Sequence, residues 1–191
     1  VGNRNGVGKF MAYSNVDSNG NLTWTMSSIL VSPGRDGKDV KIFNDKVTVG
    51  MGTVGYGGSI QDSPVFHWDM DADTFTVLGD TITDCNVLLP AFNTLYAGIS
   101  IGSGNSEPTG LAKLSGGSFV IVDGDLQGAS VDCGEVLSDG TVLIGGDYGN
   151  AGNITGSDSF HLLSGEDTFA LFNDTSGNPR VDVIYEVPPA G

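Results

Sequence analysis

The sequence predicts an all-β protein whose antiparallel sheets form a sandwich or jelly roll, and three observations support this prediction. Short apolar or alternating runs, such as 22–26 and 119–122, recur along the whole chain of 191 residues. Gly, Asn, Asp and Pro separate these runs, and Gly, with 30 residues, is about twice as frequent as usual. The spacing of the runs indicates roughly a dozen strands, which is typical of sandwiches and barrels.

Pairs of runs that flank turn sequences predict individual hairpins. Asn19-Gly20 precedes the run 22–26, Asn44-Asp45 separates 40–43 from 46–49, and the acidic turn 69–73 separates 65–68 from 74–78. In the second half, Ser138-Asp139-Gly140 separates 135–137 from 141–144. The last run, 181–187, alternates between apolar and polar residues, and Pro188-Pro189 stop it.

The segment 85–97 carries a competing signal for a short helix. Its apolar residues fall at helical spacing, at Cys85, Leu88, Leu89, Phe92, Leu95 and Tyr96. Pro90 in the middle of the segment disfavours a helix, because proline lacks the N–H that a helix interior needs. A helix near 85–97 and a continuation of the β pattern are therefore both open. No repeat period of 20–50 residues is evident in the sequence.

The chain length predicts one domain, because β sandwiches of this size commonly form a single unit. We expect a flexible N-terminal arm at 1–8, a β domain over 9–187 with a Gly/Ser-rich loop at 102–110, and a tail at 188–191. Such a chain buries roughly 70% of its unfolded surface, so its core needs neither a metal nor a disulfide. Cys85 and Cys133 have no metal-ligand spacing and are expected to be buried thiols, with a disulfide as the alternative.

The charge of the chain limits its partners. There are 23 acidic and 8 basic residues, which gives a net charge of −15. A surface of this sign repels nucleic acid and anionic membranes, and it favours cationic partners or divalent ions. No run of 18 apolar residues predicts a transmembrane helix.

The run Asp69-Met70-Asp71-Ala72-Asp73 is the best metal candidate in the sequence. Alternating carboxylates on a tight turn at Asp69, Asp71 and Asp73 offer the hard oxygen ligands that Ca²⁺ prefers. An EF-hand is excluded, because Thr74 occupies the position of its glycine. The alternative is a solvated hairpin turn without a metal, and we expect no other cofactor.

The remaining motifs argue against catalysis. Residues 50–55 match GxGxxG, but the following segment has too many Gly and Pro residues to begin the helix that a dinucleotide site requires. The two histidines, His67 and His161, are isolated, and no known catalytic motif surrounds them. Tyr56 and Tyr148 lie among glycines and are candidate ligand-binding aromatics for a sugar. We expect the protein not to be an enzyme.

The sequence resembles the β-rich accessory proteins of tailed-phage particles, such as capsid-decoration (cement) proteins. The resemblance rests on short Gly/Asn/Thr-rich strands with few charges, on turns such as Asp123-Gly124-Asp125 and Ser138-Asp139-Gly140, and on the terminal run 181–187. It implies a structural subunit of the virion surface without an active site. Such a subunit is often a trimer and binds the major capsid protein or another lattice subunit.

Two other functions remain open. One is a subunit of a secreted bacterial or archaeal filament that assembles by strand donation, because terminal segments can add to exposed sheet edges. The other is an extracellular carbohydrate-binding or adhesion module, which would use Tyr56 or Tyr148 and a Ca²⁺ ion near Asp69. The three functions predict different behaviour of the purified chain. A filament subunit polymerises alone, a decoration protein assembles only on a preformed lattice, and an adhesion module binds a sugar.

Overall fold

The structure is a computed structural model that describes residues 8–9, 12–26, 30–31, 35–53, 64–79, 82, 84–99, 110–122, 130–147, 150–151, 154–155 and 160–171. These residues form strands, turns and short connections, and no helix occurs among them. The predicted all-β class is therefore confirmed, with several antiparallel sheets that pack face to face as in a sandwich.

Eighteen strands occur in the described residues. In chain order they are β1 (Gly8–Lys9), β2 (Ala12–Val16), β3 (Leu22–Met26), β4 (Leu30–Val31), β5 (Arg35–Phe43), β6 (Lys46–Thr53), β7 (Val65–Asp69), β8 (Thr74–Val77), β9 (Val87–Ala91), β10 (Thr94–Ile99), β11 (Gly110–Ser115), β12 (Ser118–Ile121), β13 (Ser130–Val136), β14 (Val142–Asp147), β15 (Asn150–Ala151), β16 (Ile154–Thr155), β17 (Phe160–Gly165) and β18 (Thr168–Leu171).

Most of these strands belong to three antiparallel units of four strands each. Unit 1 contains β5, β6, β7 and β8 in that order, and unit 2 contains β9, β10, β11 and β12. Unit 3 contains β13, β14, β17 and β18, with the small hairpin β15–β16 inserted after its second strand. Units 2 and 3 join into one eight-stranded sheet through a single parallel pair, Gly110 with Ser130.

The units repeat along the chain with a regular period that the sequence analysis missed. Their second strands begin at Lys46, Thr94 and Val142, so each begins 48 residues after the previous one. The turn before the second strand has two residues in units 1 and 2 but five residues in unit 3. Because the turns differ in length and composition, the period is visible in the strand positions and not in the residue types.

Units 1 and 2 have core clusters on both faces, whereas unit 3 contributes to one cluster, and the hydrophobic core is divided accordingly. One cluster lies between units 1 and 2 and includes Val65, Leu88 and Leu95. A second lies between units 2 and 3 and includes Leu89 and Ile144. A third covers the face of unit 1 that points away from unit 2; it consists of Val49, Met51, Phe66 and Trp68, with Val47 and Phe75 beside them.

The first strands of the three units lie close together. Asp39 in β5 accepts the N–H of Leu88 in β9 at 2.8 Å, and Lys41 Nζ lies 3.4 Å from Glu135 Oε2 in β13. Packed sheets are about 10 Å apart, so the outer two of three evenly stacked sheets would be about 20 Å apart, too far for this ion pair. The first strands therefore converge and the sheets diverge from them, as blades do in a β-propeller.

The helix considered for 85–97 is wrong, because this segment forms the hairpin β9–β10. Phe92 and Asn93 have positive φ angles of 49° and 58° and make its two-residue turn. Leu88 and Leu89 point to different core clusters, so the strand is apolar on both faces and resembles a buried helix in sequence. Pro90 is tolerated because β9 pairs with β10 alone among the described strands.

The hairpins predicted in the first half are confirmed as β2–β3, β5–β6 and β7–β8, and the later one as β13–β14. The glycines at the start of the GxGxxG run lie in β6, which continues to Thr53, so this part of the run is strand and not loop. Gly110, placed at the end of the predicted loop 102–110, begins β11. The rest of that loop, the segment 1–7, the run 181–187 and the tail 188–191 lie outside the described residues.

Candidate functional site

The acidic turn predicted between two strands connects β7 and β8. Asp69 Oδ1 accepts the backbone N–H groups of Asp71 and Ala72 at 3.1 and 3.0 Å. Asp73 has a positive φ of 49°, and its Oδ1 accepts the indole N–H of Trp68 at 3.2 Å. Two of the three carboxylates thus stabilise the turn itself, because Asp side chains readily accept the N–H groups of a tight turn.

A groove of about 320 Å³ lies beside this turn at one end of unit 1. Its lining combines carboxylates, one lysine, one imidazole and hydroxyl groups, which can hydrogen-bond a small polar or cationic molecule. The lining residues come from β6, β7 and β8 and from the β5–β6 and β7–β8 turns; they are Asp45, Lys46, Val47, His67, Trp68, Asp69, Met70, Asp71, Thr74 and Thr76.

His67 lies in this groove, and its contacts hold it in place. Its Nδ1 is 3.0 Å from the hydroxyl of the buried Thr48 on the neighbouring strand, and its ring stacks on Phe43 at 6.2 Å between centroids. Partial burial, and then the positive charge of Lys46, lowers the pKa of His67. The imidazole is therefore neutral at physiological pH. His161, the other histidine, is completely buried in β17.

The three carboxylates proposed for Ca²⁺ lie within a single turn. In the described part of the chain, no group of three or more His, Cys, Asp or Glu side chains has an arrangement that could hold a metal ion. Asp71 is exposed, whereas Asp69 already accepts backbone hydrogen bonds of the turn and Asp73 accepts one from the indole of Trp68 in β7. The calcium prediction at Asp69, Asp71 and Asp73 therefore gains no support from the geometry and stays a prediction.

The aromatic residues differ in how much of each side chain is exposed. Tyr56 and Tyr148, the candidate ligand-binding aromatics, lie outside the described residues. Trp24, on strand β3, is 66% exposed. Trp68 and Tyr96 are buried. An exposed tryptophan on a regular strand is the functional signal that the sequence analysis missed, because alternation alone does not show whether a neighbouring sheet covers the strand.

Both cysteines are free and buried, as expected for structural thiols. Burial, and then the negative charges of Asp39 and Asp84, raises the pKa of the Cys85 thiol well above its usual value. A thiol held in this way is protonated and unreactive, because the thiolate is the nucleophilic form.

The part of the chain that the structure describes contains no helix long and apolar enough to span a membrane. No family model matches the sequence, and no curated protein sequence shows a significant similarity to it.

Proposed function

We propose that this protein is a non-enzymatic structural subunit of a viral particle that acts through protein–protein contacts, such as a capsid-decoration protein at the virion surface. The observation that carries the proposal is that strands β2, β3 and β5 expose large apolar side chains. Val16, Leu22 and Trp24 on β2 and β3 are 61–66% exposed, and Val40 and Ile42 on β5 are 54% and 62% exposed.

Exposed apolar side chains that cluster on one surface mark contact sites for other proteins. Two of the three turn carboxylates, Asp69 and Asp73, and His67 already have structural partners, so the groove in unit 1 supports the proposal less than these strands do. The net charge of −15 keeps separate particles soluble, so specific contacts must form where charge is locally low. The resemblance to decoration proteins supplies the expected setting, a trimer bound to a lattice of major capsid subunits.

The experiment that tests this function measures the mass of the purified chain by light scattering at physiological salt, with and without Ca²⁺. A discrete species, monomer or trimer, whose mass does not depend on Ca²⁺ supports a decoration subunit that binds a separate lattice. Open-ended growth into threads contradicts it and supports a subunit of a strand-donating filament. A mass that changes only when Ca²⁺ is present would instead support an adhesion module with a metal-dependent contact.

A further inference from the structure

The first strands of the units follow one packing rule. The strand β9 packs against β5 and β6, which are the first and second strands of unit 1. In the same way β13 packs against β9 and β10, the first and second strands of unit 2. Each first strand thus lies against the first two strands of the unit before it. By this rule, the next first strand lies against β13 and β14 in unit 3.

The far face of unit 3, which is the face opposite the cluster shared with unit 2, carries side chains that such a strand would cover. Ile144 belongs to that cluster, so its neighbour Leu143 lies on the far face, as does Cys133, which pairs with Gly145. Leu143 is 7% and Cys133 8% exposed, yet neither belongs to a core cluster of the described residues. Because an open sheet face is solvated, this burial indicates that the far face is covered.

The run 181–187, which lies outside the described residues, holds the place of the next first strand in the chain. Nine residues separate β8 from β9, and eight separate β12 from β13. Nine residues also separate the end of β18 from the run. A connection of this length therefore carries the chain from a fourth strand to the next first strand within one molecule.

The residues of the run fit a first strand. Its three valines and Tyr185 fall at alternate positions, which places them on one face of a strand. The run begins with Val181-Asp182 and ends with Glu186-Val187, and β13 carries Val131-Asp132 near its start and ends with Glu135-Val136. The apolar face of the run can therefore pack on the far face of unit 3, as β13 packs on unit 2.

We propose that the run 181–187 forms a strand that packs on the far face of unit 3 of its own chain, against β13 and β14. This inference does not rest on the proposed function and goes beyond it. It makes the run part of the molecule's own core, so that the run is not a strand donated to the sheet of another copy.

The two cysteines test this packing, because each reports on a different contact. Cys133 lies on the far face of unit 3, whereas Cys85 lies in the cluster between units 1 and 2. The experiment measures alkylation of each thiol by iodoacetamide in the native full chain, with the labelled site read by mass spectrometry. In Tyr185→Lys we expect Cys133 to react at least about tenfold faster than in the wild type, and Cys85 at an unchanged rate. Val120→Lys is the matched control, since Val120 is an exposed apolar residue on β12, and it should leave both rates unchanged.

An unchanged rate at Cys133 in Tyr185→Lys overturns the inference. Protection of Cys133 that weakens when the wild type is diluted also overturns it, because the cover then comes from another copy. If Tyr185→Lys unfolds the whole chain, so that both thiols react quickly, hydrogen exchange of the wild type decides by mass spectrometry. The amides of 181–187 should then be protected like those of β13, and exchange at the rate of an unstructured chain would refute the packing.

Discussion

Gly98 in β10 lies beside Val131 in β13, the first strand of unit 3. A Cβ atom at this position would be 2.7 Å from the carbonyl oxygen of Val131 and 2.6 Å from a methyl group of Val87. Gly50 holds the equivalent position in β6, where a Cβ atom would be 2.8 Å from Cys85 Sγ and 3.2 Å from the Leu88 side chain. The fifth residue of the second strand is thus glycine in both units because the next unit approaches the backbone there.

We predict that Gly98→Ala destabilises the protein by about 1–3 kcal/mol, because backbone atoms on two strands must move to admit the methyl group. The melting temperature should fall by about 2–4 °C for each kcal/mol. Gly165→Ala is the control, since the nearest atoms to its added Cβ are 3.9 Å away. An equal loss in both variants would show that close packing between units 2 and 3 is not the cause.

The acidic turn between β7 and β8 permits a matched pair of variants. Asp69→Ala removes the acceptor of two backbone N–H groups and should cost about 1 kcal/mol, whereas Asp71→Ala removes an exposed side chain and should change stability by less than about 0.5 kcal/mol. Thermal unfolding with and without EDTA measures both effects. If EDTA and Asp71→Ala each lower the melting temperature by more than about 5 °C, the turn holds a metal ion.

Tyr96 and Lys113 in unit 2 face Glu166 and Asp167 in unit 3, and their ionisation predicts that the protein loses stability at alkaline pH. Burial, and then the charges of Asp167 and Glu166, raises the pKa of Tyr96 to about 12, from 10.0. Hydrogen bonds to Asp167 and then Glu166 raise the pKa of Lys113 above its usual 10.5. Both groups bind their protons more tightly in the folded chain, so their contribution is complete below pH 10 and is lost as the pH rises through the folded pKa values.

The measurement is the melting temperature from neutral pH up to about 12. We expect a decline that begins near pH 10 and is smaller in Tyr96→Phe, which lacks the titrating hydroxyl. A decline of the same size in Tyr96→Phe would mean that other groups cause the alkaline unfolding.

At the scale of the element, the turns were the most predictable feature. Two of the loops share one geometry: in Asp17–Asn21 and in Leu137–Thr141 the first residue donates its N–H to the fifth residue's carbonyl oxygen, and a glycine in fourth place has a positive φ. Both contain Ser, then Asn or Asp, then Gly, a turn sequence whose local chemistry decides its conformation. The segment 85–97 was ambiguous because burial on both faces removes the alternation that identifies a strand.

At the scale of the whole molecule, the four-stranded units and the hairpin β2–β3 differ in how much of their surface is covered. Unit 2 has a core cluster on each face, whereas the hairpin β2–β3 exposes every described side chain from Ser14 to Thr25. Hydrogen exchange in native conditions follows such differences, because poorly packed regions open with a low free energy.

We therefore predict that the amide protons of β9, β10 and β11 exchange most slowly and those of β2 and β3 fastest, when exchange is followed by NMR in dilute solution. Uniform protection across all strands in dilute solution would contradict the unequal burial.

The sequence by itself determined the all-β class, most hairpins and the acidic surface, because turn chemistry and the alternation of side chains act between residues a few positions apart. The tertiary structure alone decided that the hairpins form four-stranded units, that the first strands converge, and that Trp24 lies at the surface while Trp68 is buried. These features depend on contacts between residues many tens of positions apart, such as Lys41 with Glu135, and such contacts leave no regular pattern in a single sequence.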